Sequence, residues 1–114
     1  MPLIHLNTNV VLDAAQEIEI AEHVSKLAAK LLRKPEQWVM AHVATRQSMI
    51  FAGSDMPCAF VECKSIGMRD PDIPLLADAL CTLLHQHLQL DPARIYIEFT
   101  SAQAHQWGWN GGTF

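Results

Sequence analysis

No uninterrupted apolar run of about 18 residues or more occurs in this chain, so it holds no candidate for a helix that crosses a bilayer. Nor does a basic segment followed by an apolar stretch open it; "PLIHLNTN" is too short and too polar for a secretory leader. Cysteine is scarce. Cys58, Cys63 and Cys81 cannot all pair within one chain, and four residues separate the first two, so there is no CxxC spacing. Reduced thiols in a cytoplasmic protein are the simplest consequence. Positive charge is also in deficit: eight Lys and Arg against twelve Asp and Glu give a formal net charge of −4, the wrong sign for a nucleic-acid surface. The six histidines are scattered, and His85 and His87 fall at i, i+2 on different sides of an expected helix, so no metal site is predicted.

What is present is apolar material. Half of the 114 residues are hydrophobic and 18% are charged, which predicts one folded domain over residues 1–114 and not a disordered segment. A domain this small exposes a large share of its surface, so self-association would help it.

The pattern repeats itself. "PLIHLNTNV" reads as a strand with Leu3 and His5 on one side and Ile4 and Leu6 on the other. Asp13 and Gln16 have the spacing of a capping box, and Ile20, Val24, Leu27, Ala28 and Leu31 then recur at helical spacing. Arg33 and Lys34 suit the end of that helix, Pro35 forbids continuation, and "WVMAHVA" (38–44) follows as a strand. The second half offers the strand "CAFVECKSI" (58–66), a loop over 67–74, and a helix with Pro74 in its first turn. Leu76, Leu80, Leu83, Leu84 and Leu88 form its stripe, and "RIYIEF" (94–99) is the last main strand. Two tandem βαβ units are therefore expected, an α/β (α+β) chain with a four-stranded sheet and two helices on one face, each unit pairing its strands in parallel. The Gly-rich tail "WGWNGGTF" concentrates Trp107, Trp109 and Phe114, a composition that docks on a partner more readily than it stays in water.

Chemistry is carried by few residues. If Met1 is removed, Pro2 holds a secondary amine in place of an amide. An exposed α-amino group titrates at about 7.7–8.0, and burial or a nearby cation such as Lys34 lowers that value toward a free base at neutral pH. General-base catalysis favours such a match. Taken alone, Pro2 is read more simply as a proline tolerated at the first position of a strand. Lys34 is equally a solvated helix-end charge, Tyr96 a phenol donor or a packed edge, and Ser65-Ile66-Gly67 a strand end whose free N–H could bind a substrate oxygen.

Together these blocks resemble the macrophage migration inhibitory factor and D-dopachrome tautomerase family, within the tautomerase superfamily. The resemblance runs through "PLIHLNTNV", the Lys34–Pro35 turn, "FAGSDMPCAFVECKSIG", "DPARIYIEF" and "WGWNGGTF", in family order over nearly the whole chain. It implies a homotrimer whose sheets surround a central channel, with active sites at subunit interfaces. It implies a cofactor-independent keto–enol tautomerase in which Pro2, after processing, is the catalytic base. Lys34, the amide of Ile66, Tyr96 from the adjacent subunit, and Trp109 and Phe114 would bind a small α-keto acid or its enol. The alternative it implies is a cytokine-like or host-modulating binding protein, exported without a signal peptide, with a vestigial or secondary pocket and a receptor as partner. A dehalogenase or hydratase, as in other branches of the superfamily, ranks last because no extra pair of pocket arginines is evident.

Three positions depart from the family pattern. Glu98 stands where an asparagine is usual, and its carboxylate would repel an anionic substrate or require a cationic partner, Arg33 and Arg69 being nearest in sequence terms. Val61 replaces the second cysteine of the family's Cys-x-x-Cys, which removes the basis for thiol–disulfide chemistry. Trp107 replaces a smaller aliphatic residue and would narrow the pocket toward small or flat substrates.

Overall fold

The computed structural model describes residues 1–114. Strand β1 (Leu3–Thr8) pairs in parallel with β2 (Met40–Ala44), and helix α1 (Ala14–Leu32) forms the crossover between them. Strand β3 (Ala59–Ile66) pairs in parallel with β4 (Ile95–Ala102) across α2 (Asp72–Leu88). Antiparallel pairing of β1 with β3 joins the units, so the sheet order is β2-β1-β3-β4. The expected tandem arrangement, with both helices packed on the same face of a mixed sheet, is borne out.

Period-two alternation decides which face is covered. Ile4, Leu6 and Thr8 of β1 and Ala59, Val61, Cys63 and Ser65 of β3 are buried, while their neighbours along each strand are only partly covered. Onto this face pack Ile20, Val24, Ala28 and Leu32 of α1 and Leu76, Leu80, Leu83, Leu84 and Leu88 of α2, within one core of 16 buried residues. Leu27 and Leu31 pack at its margin. Thr8 and Ser65 are polar intruders on this face; the Thr8 hydroxyl donates to the Cys58 carbonyl at 2.7 Å and accepts from the Val10 amide at 3.1 Å.

Helix ends follow local chemistry. The Asp13 carboxylate accepts from the Gln16 amide at 2.8 Å, and the Gln16 side chain accepts from the Asp13 amide at 3.0 Å, which completes the capping box. Arg33 ends α1 in the left-handed region (φ 56°), ahead of Pro35. No helix is long and apolar enough to cross a membrane.

Several boundaries differ from expectation, among them the end of β4, which runs to Ala102 and not to residue 99. Strand β2 begins at Met40 and not at residue 38, because Glu36–Trp38 form a 3₁₀ turn in which the Trp38 and Val39 amides donate to Pro35 and Glu36 carbonyls at 3.0 Å each. Helix α2 starts at Asp72, inside the expected loop; Pro74 falls in the first turn, where a missing N–H removes no intrahelical bond. The tail is a hairpin of β5 (Gly108–Trp109) and β6 (Gly112–Thr113), turned by Asn110 and Gly111 at positive φ (50° and 79°), the residue pair that a tight hairpin turn favours.

Leu80 is 1% exposed at the centre of the core. Leu80→Ala should destabilise the fold by about 2–5 kcal/mol. In urea denaturation this should appear as a lower midpoint with an unchanged slope.

Candidate active site

Pro2 is buried and immediately precedes β1, where its carbonyl accepts from the Met40 amide at 2.9 Å. That bond extends the β1–β2 pairing by one residue and fixes Pro2 on the sheet. Above it opens a cavity of about 310 Å³. Met1 and Pro2 meet Trp38, Trp107, Trp109 and Phe114 there, so four of the predicted site residues share one space.

The aromatic wall is self-supporting. Trp109 and Phe114 lie nearly parallel with ring centroids 5.7 Å apart, and the Phe114 amide donates to the Trp107 carbonyl at 3.2 Å, closing the hairpin. Trp38 stands nearly perpendicular to both rings, its centroid 4.8 Å from that of Trp109 and 5.5 Å from that of Phe114. The tail thus docks on a tryptophan of its own chain. Sequence reasoning missed Trp38 as a site residue by assigning it to a strand; its place three residues after the Lys34–Pro35 turn was the available signal.

Lys34 and Ile66 come together at a neighbouring cavity of about 200 Å³, lined also by Arg33, Arg69 and the Ser65-Ile66-Gly67 turn. The Lys34 charge reaches the chain terminus. The Met1 α-amino group is held below its ordinary value, first by burial and then by repulsion from Lys34. Arg33 is engaged within the wall of that cavity, 3.5 Å from the buried carboxylate of Asp72.

Tyr96 and Glu98 lie apart from this cluster. Tyr96 pairs with Phe60, which pairs with Asn7, so Tyr96 sits five residues down the sheet from Pro2, roughly 16 Å at strand rise. It is 67% exposed. Glu98 forms no ion pair within the chain, and neither Arg33 nor Arg69 pairs with it. It belongs to a row crossing all four strands on the uncovered face, His42, His5, Glu62 and Glu98. The two imidazoles stack at 4.3 Å, and His5 Nδ1 lies 3.2 Å from Glu62, whose other oxygen is 3.7 Å from Lys64 Nζ.

The thiols stand outside the chemistry. Cys58 and Cys63 are buried, and burial pushes the Cys63 thiol up to about 11, far from a thiolate at neutral pH.

Comparison with known proteins places this geometry in context. The fold superposes on the macrophage migration inhibitory factor homologue of Prochlorococcus marinus with a TM-score of 0.93 at 34% identity, covering 98% of each chain. That of Trichinella spiralis gives 0.90 at 32% identity, covering 98% of this chain and 99% of the other. The macrophage migration inhibitory factor of Meriones unguiculatus is 37% identical over 115 aligned positions, spanning 100% of this chain and 99% of its own. The sequence profile described as Macrophage migration inhibitory factor (MIF) matches residues 1–114, and the chain belongs to that family.

Trp38→Ala should release the tail, because two perpendicular ring contacts are lost, each worth about 0.5–1.5 kcal/mol beyond area burial. Amide hydrogen exchange should accelerate across Gly108–Thr113 while β3 stays protected.

Proposed function

We propose that the protein is a cofactor-independent keto–enol tautomerase whose base is the amine of Pro2, set free by removal of Met1. One observation carries this reading: a buried Pro2 on the floor of an aromatic cavity, where apolar burial and Lys34 already depress a terminal amine. With Met1 attached, the Pro2 nitrogen is an amide and has no basicity. Without it, burial and Lys34 would act on the Pro2 amine in the same direction and favour its neutral form.

In the proposed reaction the Pro2 nitrogen takes the proton α to a carbonyl, and the electron pair moves onto the carbonyl oxygen. Lys34 and the Ile66 amide face the resulting enolate and a substrate carboxylate, each such donor contributing roughly 3–4 kcal/mol in a preorganised site. The protonated amine then delivers its proton to the oxygen, which leaves the enol and the neutral base. Trp109 and Phe114 hold the flat part of the substrate, and Trp107 limits its bulk. Tyr96 and Glu98 would enter from an adjacent copy in a homotrimer. The support is that Tyr96 is exposed and remote from Pro2 in its own chain, and that Met40 and Ile50 are also exposed, at 65% and 71%. Light scattering on a sizing column tests the trimer.

Intact mass should show a chain lacking Met1. With phenylpyruvate as substrate, Pro2→Gly, which keeps a terminal amine but changes its basicity and shape, should lower kcat/KM measurably but by less than the roughly 10²–10⁴-fold worth of a positioned base. An undiminished rate would refute the assignment.

The pH dependence has a defined sign. Activity should fall as pH drops through the lowered amine value, since protonation removes the base. Lys34→Ala removes the repulsion but leaves burial, so the acid limb of kcat/KM should move to higher pH without reaching the value of a solvated amine.

A further inference from the structure

The segment between β2 and β3 is tied down from outside. Apart from a turn in which Phe51 and Ser54 exchange amide–carbonyl bonds of 3.0 Å, it has no ladder of its own. Asn9 holds its far end, donating to the Asp55 and Met56 carbonyls and accepting from the Cys58 amide. The near end is held by the Arg46 and Gln47 amides, which donate to the Val10 and Thr8 carbonyls at 3.1 and 3.0 Å, and Arg94 holds the stretch from Phe51 to Pro57. Its Nε donates to the Pro57 carbonyl at 3.0 Å, Nη1 to Phe51 at 3.1 Å, and Nη2 to Ser54 at 3.1 Å and Met56 at 3.0 Å. The guanidinium carbon also lies 5.2 Å from the centroid of the Phe51 ring. Only a planar fork with five N–H groups can gather four carbonyls in this way; an ammonium cannot.

Phe51, so held, lies 4.6 Å from the Tyr96 ring at an interplanar angle of 54°. The two rings form part of an apolar groove of about 330 Å³ with Met49, Ile50, Cys58 and Phe60. Tyr96 makes no side-chain hydrogen bond within the chain, and Phe51 is its aromatic neighbour. Without that neighbour the exposed phenol loses its one aromatic ring contact within the chain and is held less firmly in its rotamer.

We propose that Arg94 is a positioning residue for Tyr96, acting through Phe51 and the loop it clamps. The inference rests on the reading that Tyr96 completes the site of an adjacent copy, and it adds that the phenol is oriented before substrate arrives. The loss expected on breaking the clamp is therefore one of binding and not of proton transfer.

Arg94→Ala and Phe51→Ala should each raise KM for phenylpyruvate by about five-fold while kcat stays within about two-fold, the signature of lost substrate binding. The acid limb of the pH profile, which reports the base, should not move. Arg94→Lys should not restore KM. Because Arg94 acts through Tyr96, Arg94→Ala added to Tyr96→Phe should raise KM no further than Tyr96→Phe alone. Phe51→Ala keeps all four guanidinium bonds and serves if Arg94→Ala does not fold. A Tyr96→Phe variant with raised KM beside wild-type behaviour of the two clamp variants overturns the clamp alone. A Tyr96→Phe variant with wild-type KM overturns the placement of Tyr96, and the clamp with it. Additive losses in the double variant, a loss confined to kcat, or dissociation of the assembly also overturn the proposal.

Discussion

The antiparallel pairing of β1 with β3 is the constraint on which the rest of the structure depends. Each βαβ unit alone has a two-stranded sheet too narrow to cover its helix. Joined at Leu3 opposite Lys64 and Thr8 opposite Ala59, the units share one sheet and one core. The same register carries Pro2 to the end of the sheet where the Ser65-Ile66-Gly67 turn and the Lys34–Pro35 turn converge. A slip of one residue would exchange the faces of β1, exposing Ile4 and Leu6 and burying His5. Fold and candidate site are thus set by one pairing.

Much of this was legible before the structure. Periodicity located both helices and all four main strands, and the Asp13–Gln16 spacing marked the start of α1 correctly. What escaped depended on nonlocal contact. Trp38 has strand-like character, but the turn after Pro35 and perpendicular ring contacts with Trp109 and Phe114 hold it elsewhere. Asn110-Gly111 was a turn signal in plain view, yet a hairpin with only two residues in each strand produces no alternation to detect. For the site, sequence order alone could not show that Tyr96 lies far from Pro2; strand register shows it at once.

The uncovered face of the sheet holds a graded chemistry. At one end Phe60 and Tyr96 make an apolar surface, and in the middle His42, His5, Glu62 and Glu98 make a titratable row. Glu62 is held by His5 and Lys64, whereas Glu98 has no partner. Any surface that covers this face must therefore supply a cation, a hydrogen-bond donor or water to Glu98, since an unpaired buried carboxylate is costly.

The burial of Pro2 has a consequence for timing. Its carbonyl is bonded to the Met40 amide and its ring is enclosed, so the Met1–Pro2 peptide lies against a finished sheet once the chain has folded. On the proposed reading, an aminopeptidase must reach that bond while the terminus is still an open strand, during synthesis and before residues near 40 and 65 have emerged to pair with it. Activity would then be decided once, at the ribosome. Chains that fold too early would keep the same architecture and carry a permanently silent amide where the base should be.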